Sequence, residues 1–268
     1  MKLYKKLVLF LLMALTISCE EVVDLDLEES EPRLVIEASL VWNLNQVQNP
    51  LFIKLTTTAP YFDEDIPPAA GASVRIFDEA GTEYDFEETE PGLFRNDGFT
   101  PEPDLVYELE VIYEDEVYRA TESIVSTPEI EFIEQDNEGG FSGDEIELKA
   151  FYTDPAGKGD YYLFRFFHED LSIQIYDDEL IDGNQSFAFF SDEDLESGDE
   201  VVFELQGISR GFYEYLFILR SQAGSGGGPF QTQPTVVRGN IVNTTNPENF
   251  AFGYFRLSER DVQSYVIE

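Results

Sequence analysis

Basic side chains are scarce in this sequence: 16 Lys and Arg stand against 55 Asp and Glu, a formal charge of -39. Coulomb repulsion from such a surface excludes phosphate backbones as ligands, so nucleic acid is not an expected partner, and it disfavours docking of the folded body on anionic lipid. Cysteine and histidine are scarcer still, with one of each. A disulfide framework needs two thiols, a zinc cage about four Cys or His ligands, and a Cys/His or Ser/His/Asp array a placed histidine. The first two are excluded and the third nearly so. What is plentiful is apolar: 43% of the 268 residues are hydrophobic and 14% aromatic, with 23 Phe and 14 Tyr. That is enough for one large or two small folded domains.

Lys2, Lys5 and Lys6 precede an apolar run from Leu7 to Ile17. The run is shorter than the ~20 residues of a bilayer-spanning helix, and a basic stretch before a short apolar one is the pattern of a secretory signal. It closes on Leu15-Thr16-Ile17-Ser18-Cys19. A small residue directly before a lone Cys resembles the lipobox, in which the thiol is acylated and becomes the new N-terminus; Thr16 departs from the usual Leu. Residues 1–19 are therefore read as a lipoprotein signal with Cys19 lipidated, the alternative being a free, buried Cys19 after ordinary signal cleavage. Two or three acyl chains, at about 0.8 kcal/mol per buried CH2, anchor a protein stably. Cleavage leaves 13 basic against 55 acidic residues, a mature charge near -42.

Residues 20–32 follow as an acidic, glycine-free run closed by Pro32. Its like charges repel and it has too few apolar groups to fold, which makes it a solvated tether. Glu20, Glu21 and Asp24 also resemble the export signal that sends lipoproteins of Bacteroidota to the outer face of the outer membrane. A spacer selected only for solubility has a similar composition.

From Arg33 onward, short β-branched and aromatic runs end at Pro, Gly, Asp or Asn, which reads as strands. Seven are expected in residues 33–127: 34–42, 51–57, 73–78, 83–89, 93–95, 105–113 and 117–123. Asp78-Glu79-Ala80-Gly81 suits a hairpin, Pro91-Gly92 a type II turn, and Glu114-Asp115-Glu116 a short reversal. Ser126-Thr127-Pro128 is the candidate boundary. Residues 128–268 supply strands at 145–152, 161–167, 171–176, 185–190, 200–208, 250–257 and 263–267, and one helix at 209–222. In that helix Ile208, Phe212, Tyr215, Leu216 and Leu219 recur at helical spacing, and Ser209 is placed to cap. The aromatic stripe reads as core before ligand platform, since a lone amphipathic helix must bury its apolar face. The expected fold is mainly β: two antiparallel sandwich-like blocks of immunoglobulin-like or transthyretin-like type, the second carrying the helix. No strand and crossover-helix alternation supports a parallel sheet.

Chemistry-bearing motifs are weak. The run from Gly224 to Pro229 lacks the Lys-Ser/Thr of a phosphate-binding loop and reads as a flexible linker. Asp192, Asp194 and Glu196 alternate as in a calcium loop, but Ser197 stands where Gly is needed and Phe203 where Glu is needed. Calcium at Asp177-Asp178-Glu179 or across loops stays open, against solvated acidic loops as the alternative. His168 ends a strand beside Glu169 and Asp170 and is given no catalytic role. Paired carboxylates would suit a glycosidase, but with 55 acids in the chain their presence discriminates nothing.

The ordered landmarks are Cys19, the acidic run from Glu20 to Leu25, Pro32-Arg33-Leu34-Val35-Ile36-Glu37, Ala72-Ser73-Val74 and Gly92-Leu93-Phe94. In the second half come Asp160-Tyr161-Tyr162, Asp182-Gly183, Pro229-Phe230, Gly239-Asn240-Ile241 and Gly253-Tyr254-Phe255. Together these resemble the uncharacterised Bacteroidota lipoprotein family known as domain of unknown function 4249, over nearly the whole chain. That resemblance implies SusC-like TonB-dependent outer-membrane receptors as neighbours, hence an accessory role in uptake or envelope assembly, and no catalytic residues. Gly239-Asn240 reads first as a loop conformation tolerant of positive φ and second as a ligand contact. Phe230 is either a staple onto the sheet or an exposed recognition aromatic. Three functions are carried forward: an accessory binding subunit beside a TonB-dependent receptor, a structural subunit of an outer-membrane assembly, and a hydrolase.

Overall fold

Apolar side chains at every second position build the first half of the body. The computed structural model describes residues 31–43, 45–46, 49–60, 63, 65–140, 143, 145–157, 159–223 and 235–268. Strand β1 (Leu34–Asn43) buries Leu34, Ile36, Ala38, Leu40 and Trp42, so one face of the strand is core throughout. β2 (Leu51–Thr57), β3 (Ser73–Asp78), β4 (Glu83–Glu90), β5 (Leu93–Asn96), β6 (Val106–Tyr113) and β7 (Glu116–Val125) follow. They contribute Ile53, Ile76, Phe86, Phe94, Leu109 and Tyr118, among others, to the same core. Phe99 plugs it, with ring centroids 5.7 Å from Trp42, 4.8 Å from Tyr84 and 5.2 Å from Tyr107.

The second half supplies β8 (Phe132–Gly139), β9 (Glu145–Thr153), β10 (Tyr161–Phe167), β11 (Leu171–Asp177), β12 (Gln185–Ser191) and β13 (Glu200–Ile208). Helix α1 (Arg210–Ala223), β14 (Val242–Asn243) and the long β15 (Phe252–Val266) complete it. The Ser209 cap is in place: its hydroxyl accepts from the Phe212 N–H at 3.3 Å, and its carbonyl from the Tyr213 N–H at 2.9 Å.

The expectation of two sandwich-like blocks needs correction in the first half. Strands β15, β1, β2, β5, β4, β3, β6 and β7 pair in that order, and β7 pairs back onto β15 at Leu257↔Ile124 and Ser258↔Val125. The sheet is a closed eight-stranded barrel, whose filled interior needs no second sheet. Its closing strand comes from the far end of the chain and lies parallel to β1, from Val35↔Phe252 to Asn43↔Arg260. Beyond Arg260 the same strand continues antiparallel to β13, up to Glu200↔Val266. β10 and β11 extend that wing, and the separate sheet β12-β9-β8 packs on it. Their shared core holds Leu148, Tyr152, Phe164, Phe166, Phe190 and Phe203, with Phe166 and Phe190 stacked at 5.3 Å. The opposite face of the wing is covered by α1 through Phe212, which packs with Leu163, Ile208 and Tyr254.

Two further differences have local causes. The sequence reading missed β8, whose outward Glu134 and Asp136 dilute its apolar signal. It also divided β15 in two, leaving residues 258–262, a mostly polar run, outside its strands. Those residues are instead the strand's junction between barrel and wing, where polar groups are buried and bonded. The Asp261 carboxylate accepts from the Ile130 N–H at 2.8 Å and the Asn45 amide at 2.7 Å. Glu204 holds Arg165 at 3.0 Å and Arg260 at 2.7 Å. Arg256, beside them, donates to Gln206 at 2.7 Å and to Ser39 and Ser258 at 3.1 Å. Burial, and then the nearby Arg165, pulls its guanidinium down to about 10. Residues Pro32–Glu268 form one compact unit.

Candidate functional site

Three loops meet at one end of the wing because the strands they follow or precede are neighbours in the two packed sheets. Asp154 follows β9, Asp160 precedes β10 and Asp178 follows β11; one carboxylate oxygen of each lies within 4.8 Å of the others. Asp154 and Asp178 are buried. The Asp154 carboxylate accepts from the Tyr162 hydroxyl and from the Gly183 N–H at 2.8 Å. Asp178 accepts from the Gly159 N–H at 2.8 Å. Gly159 and Gly183 both have positive φ, 120° and 71°, which lets their N–H groups turn inward at low steric cost. Burial, and then the charges of Asp154, Asp178 and Asp182, push the Asp160 carboxyl above its ordinary value. The residues open for calcium in the sequence are thus rearranged: Asp178 joins two aspartates from other loops, whereas Asp177 accepts from the Tyr213 hydroxyl at 3.2 Å. Asp154 and Asp178 already accept hydrogen bonds from the chain, which ties the three loops together, and the three carboxylates supply part of the six to eight oxygens that calcium takes.

Beside it lies an open cleft of about 350 Å³ between the start of α1 and the ends of β10 and β11, lined by Tyr161, Asp177, Asp178, Glu179, Arg210 and Tyr213 among others. The Tyr161 and Tyr213 rings pack at 5.0 Å, and burial followed by Asp177 raises the Tyr213 hydroxyl. Carboxylates and phenol hydroxyls offer hydrogen bonds to amines and hydroxyls. His168, the sole histidine of the chain, is elsewhere: its Nε2 stands 3.4 Å from Asp199, and Asp199 does not line the cleft.

Of the residues singled out in the sequence, Cys19, Glu20, Glu21, Asp24 and Phe230 lie outside the described residues. Asn240 is half-buried and bonded to the main chain of Phe255 and to Glu122. Glu122 also accepts from Ser209 at 3.4 Å and Tyr254 at 3.3 Å, and burial pushes its carboxyl up. Gly239 does not need positive φ. It is glycine because a Cβ there would collide with the carbonyl oxygen of Gly253. The landmarks Gly239-Asn240 and Gly253-Tyr254-Phe255 are therefore two sides of one packing contact. The exposed phenylalanines of β8 and β12 were missed as a surface feature, since adjacency across strands is invisible to a linear pattern.

Among the described residues, no helix is long and apolar enough to cross a membrane. A search among curated proteins finds no match. Among solved structures, a two-domain fibronectin type-III segment of chicken tenascin is 12% identical, covering 67% of this chain and 92% of its own, at a TM-score of 0.23. A tetra-tandem repeat from the extending region of a large adhesion protein is 10% identical, over 67% of this chain and 46% of its own, at 0.20. The chicken interferon gamma receptor alpha chain is 8% identical, over 66% and 89%, at 0.19. At these scores nothing is carried over from them. The family model described as "Domain of unknown function (DUF4249)" matches residues 20–264, from directly behind Cys19 to near the end of β15, and the chain belongs to that family.

Proposed function

We propose that this protein is a lipid-anchored binding subunit of the outer membrane that faces outward and works beside a SusC-like TonB-dependent receptor in nutrient uptake. The observation that supports this reading is where the chain enters its body. The segment behind Cys19 joins the barrel at β1, while the acidic cleft and the exposed aromatic residues of β8 and β12 lie on the wing and its covering sheet. On this reading the barrel carries the attachment and the sheet covering the wing the recognition. Twelve extended tether residues, at ~3.3 Å each, reach up to roughly 40 Å, enough to meet a neighbouring receptor's loops. Acyl chains on Cys19 would supply stable membrane residence.

Replacing Cys19 with Ala tests the anchor: the protein should leave the membrane fraction and lose labelling by a fatty-acid probe, and unchanged retention would refute the lipoprotein reading. Purifying the native lipoprotein from detergent extract tests the role. A receptor that co-purifies with its nutrient supports the binding subunit. A complex indifferent to nutrient supports the structural subunit instead.

A further inference from the structure

The outer face of the β12-β9-β8 sheet is laid out in rows by its hydrogen-bonded register. One row is Phe132, Phe151 and Phe187; the next is Glu134, Lys149 and Phe189; the third is Asp136, Glu147 and Ser191. On the other side of the ring row stand Thr153 and Gln185, both bonded to Glu131 at 2.5 Å. Side chains directly opposite across strands touch: the rings of Phe132 and Phe151 stack at 4.6 Å and 16°, and those of Phe151 and Phe187 meet at 5.2 Å. These rings stay in water. Phe132 is 40% exposed, Phe187 42% and Phe189 46%. A contiguous apolar strip on so acidic a body is costly to keep exposed and marks an interaction face.

Ring geometry and charge select the occupant. A sugar ring stacks on an open aromatic face; the central ring, Phe151, has Phe132 stacked on it and Phe187 tilted against it at 47°, and the Lys149 ammonium stands 5.9 Å from the Phe187 ring centroid. A second copy would set Glu131, Glu134, Asp136 and Glu147 against the same four carboxylates. An anionic lipid surface meets the same repulsion. The one cation in these rows, Lys149, is held by Glu147 at 2.9 Å and Asp136 at 3.6 Å and is not free to neutralise a partner. We infer that the Phe132–Phe151–Phe187 row is a docking face for a partner protein whose contact surface has an apolar centre and a rim of Lys and Arg. This deepens the binding-subunit reading, on which it rests for the presence of a partner, by giving that partner's surface chemistry.

The test is photo-crosslinking in native cells. Photoreactive p-benzoylphenylalanine is placed at position 153, beside the row, and as a control at position 102, on the barrel side of the chain. The expected result is an adduct at 153 to a protein segment in which apolar residues are flanked by Lys or Arg. Its yield should fall at least tenfold in the double variant Phe132→Ala/Phe187→Ala, and equally in Glu131→Lys/Glu134→Lys, which leaves every apolar residue in place and guards against misfolding of the first. No adduct, an adduct to a second copy, to a glycan or to lipid, or an adduct undiminished in both variants overturns the inference. An adduct of the stated chemistry on a protein other than a TonB-dependent receptor leaves the inference standing and removes the receptor from the proposed function.

Discussion

At Asn240 the side-chain amide donates to the carbonyl oxygen of Phe255 at 2.8 Å while its oxygen accepts from the Phe255 N–H at 2.9 Å. The side chain thus satisfies both main-chain groups of a fully buried residue, and a second amide bond, at 3.2 Å, reaches Glu122. Truncation leaves these groups unpaired where water cannot replace the partner, a penalty of about 1–3 kcal/mol. Asn240→Ala should therefore lower the unfolding free energy by that amount, seen as a lower urea midpoint with the slope unchanged, while crosslinking from position 153 persists. Loss of the crosslink without loss of stability would make Asn240 a contact residue after all. The sequence could name Asn240 as unusual but not its role, because its partner Phe255 lies fifteen residues on, brought beside it by the close approach of Gly239 to the Gly253 carbonyl, where a Cβ would collide. Ser209 was readable for the opposite reason: a helix cap acts within three residues of its own position.

Among the elements, hairpins were legible where turn residues declare themselves, as at Gly81 and Gly92, both with positive φ. The β6–β7 hairpin was legible too, as the reversal at Glu114-Asp115-Glu116, although its turn contains no glycine. Its Glu114 and Asp115 have φ of 47° and 63°, the mirror-type two-residue turn that right-handed strand twist favours and that Asn-Gly fits best. Each non-glycine residue held there costs on the order of 1 kcal/mol. The double variant Glu114→Asn/Asp115→Gly should stabilise the protein by about 1–2 kcal/mol, seen as a raised denaturant midpoint. An unchanged or lowered midpoint would show that these carboxylates stabilise the turn in some other way. β8 was illegible: it is the edge strand of its sheet, and acidic side chains on an edge both hide the strand from a pattern reading and keep other chains from adding to it.

On the scale of the whole molecule, the barrel is closed by a strand more than two hundred residues from the one it pairs with. A fragment of residues 33–127 contains seven of the eight barrel strands and lacks β15. With Ile36 and Leu40 of β1 and Ile124 of β7 left beside an open seam, it should show no cooperative unfolding transition, and a peptide spanning 250–268 should restore one when added. A sharp two-state transition of the fragment alone would support Pro128 as a domain boundary. Alternation, turn chemistry and capping are local, so the sequence by itself determined the mainly β character, most strand limits, the helix with its cap, and the acidic, histidine-poor composition. Closure of the barrel, the union of Asp154, Asp160 and Asp178, and the row of Phe132, Phe151 and Phe187 were decided only by the tertiary structure. Each depends on which strands become neighbours and in what register, and that choice is made by burial of the whole core at once.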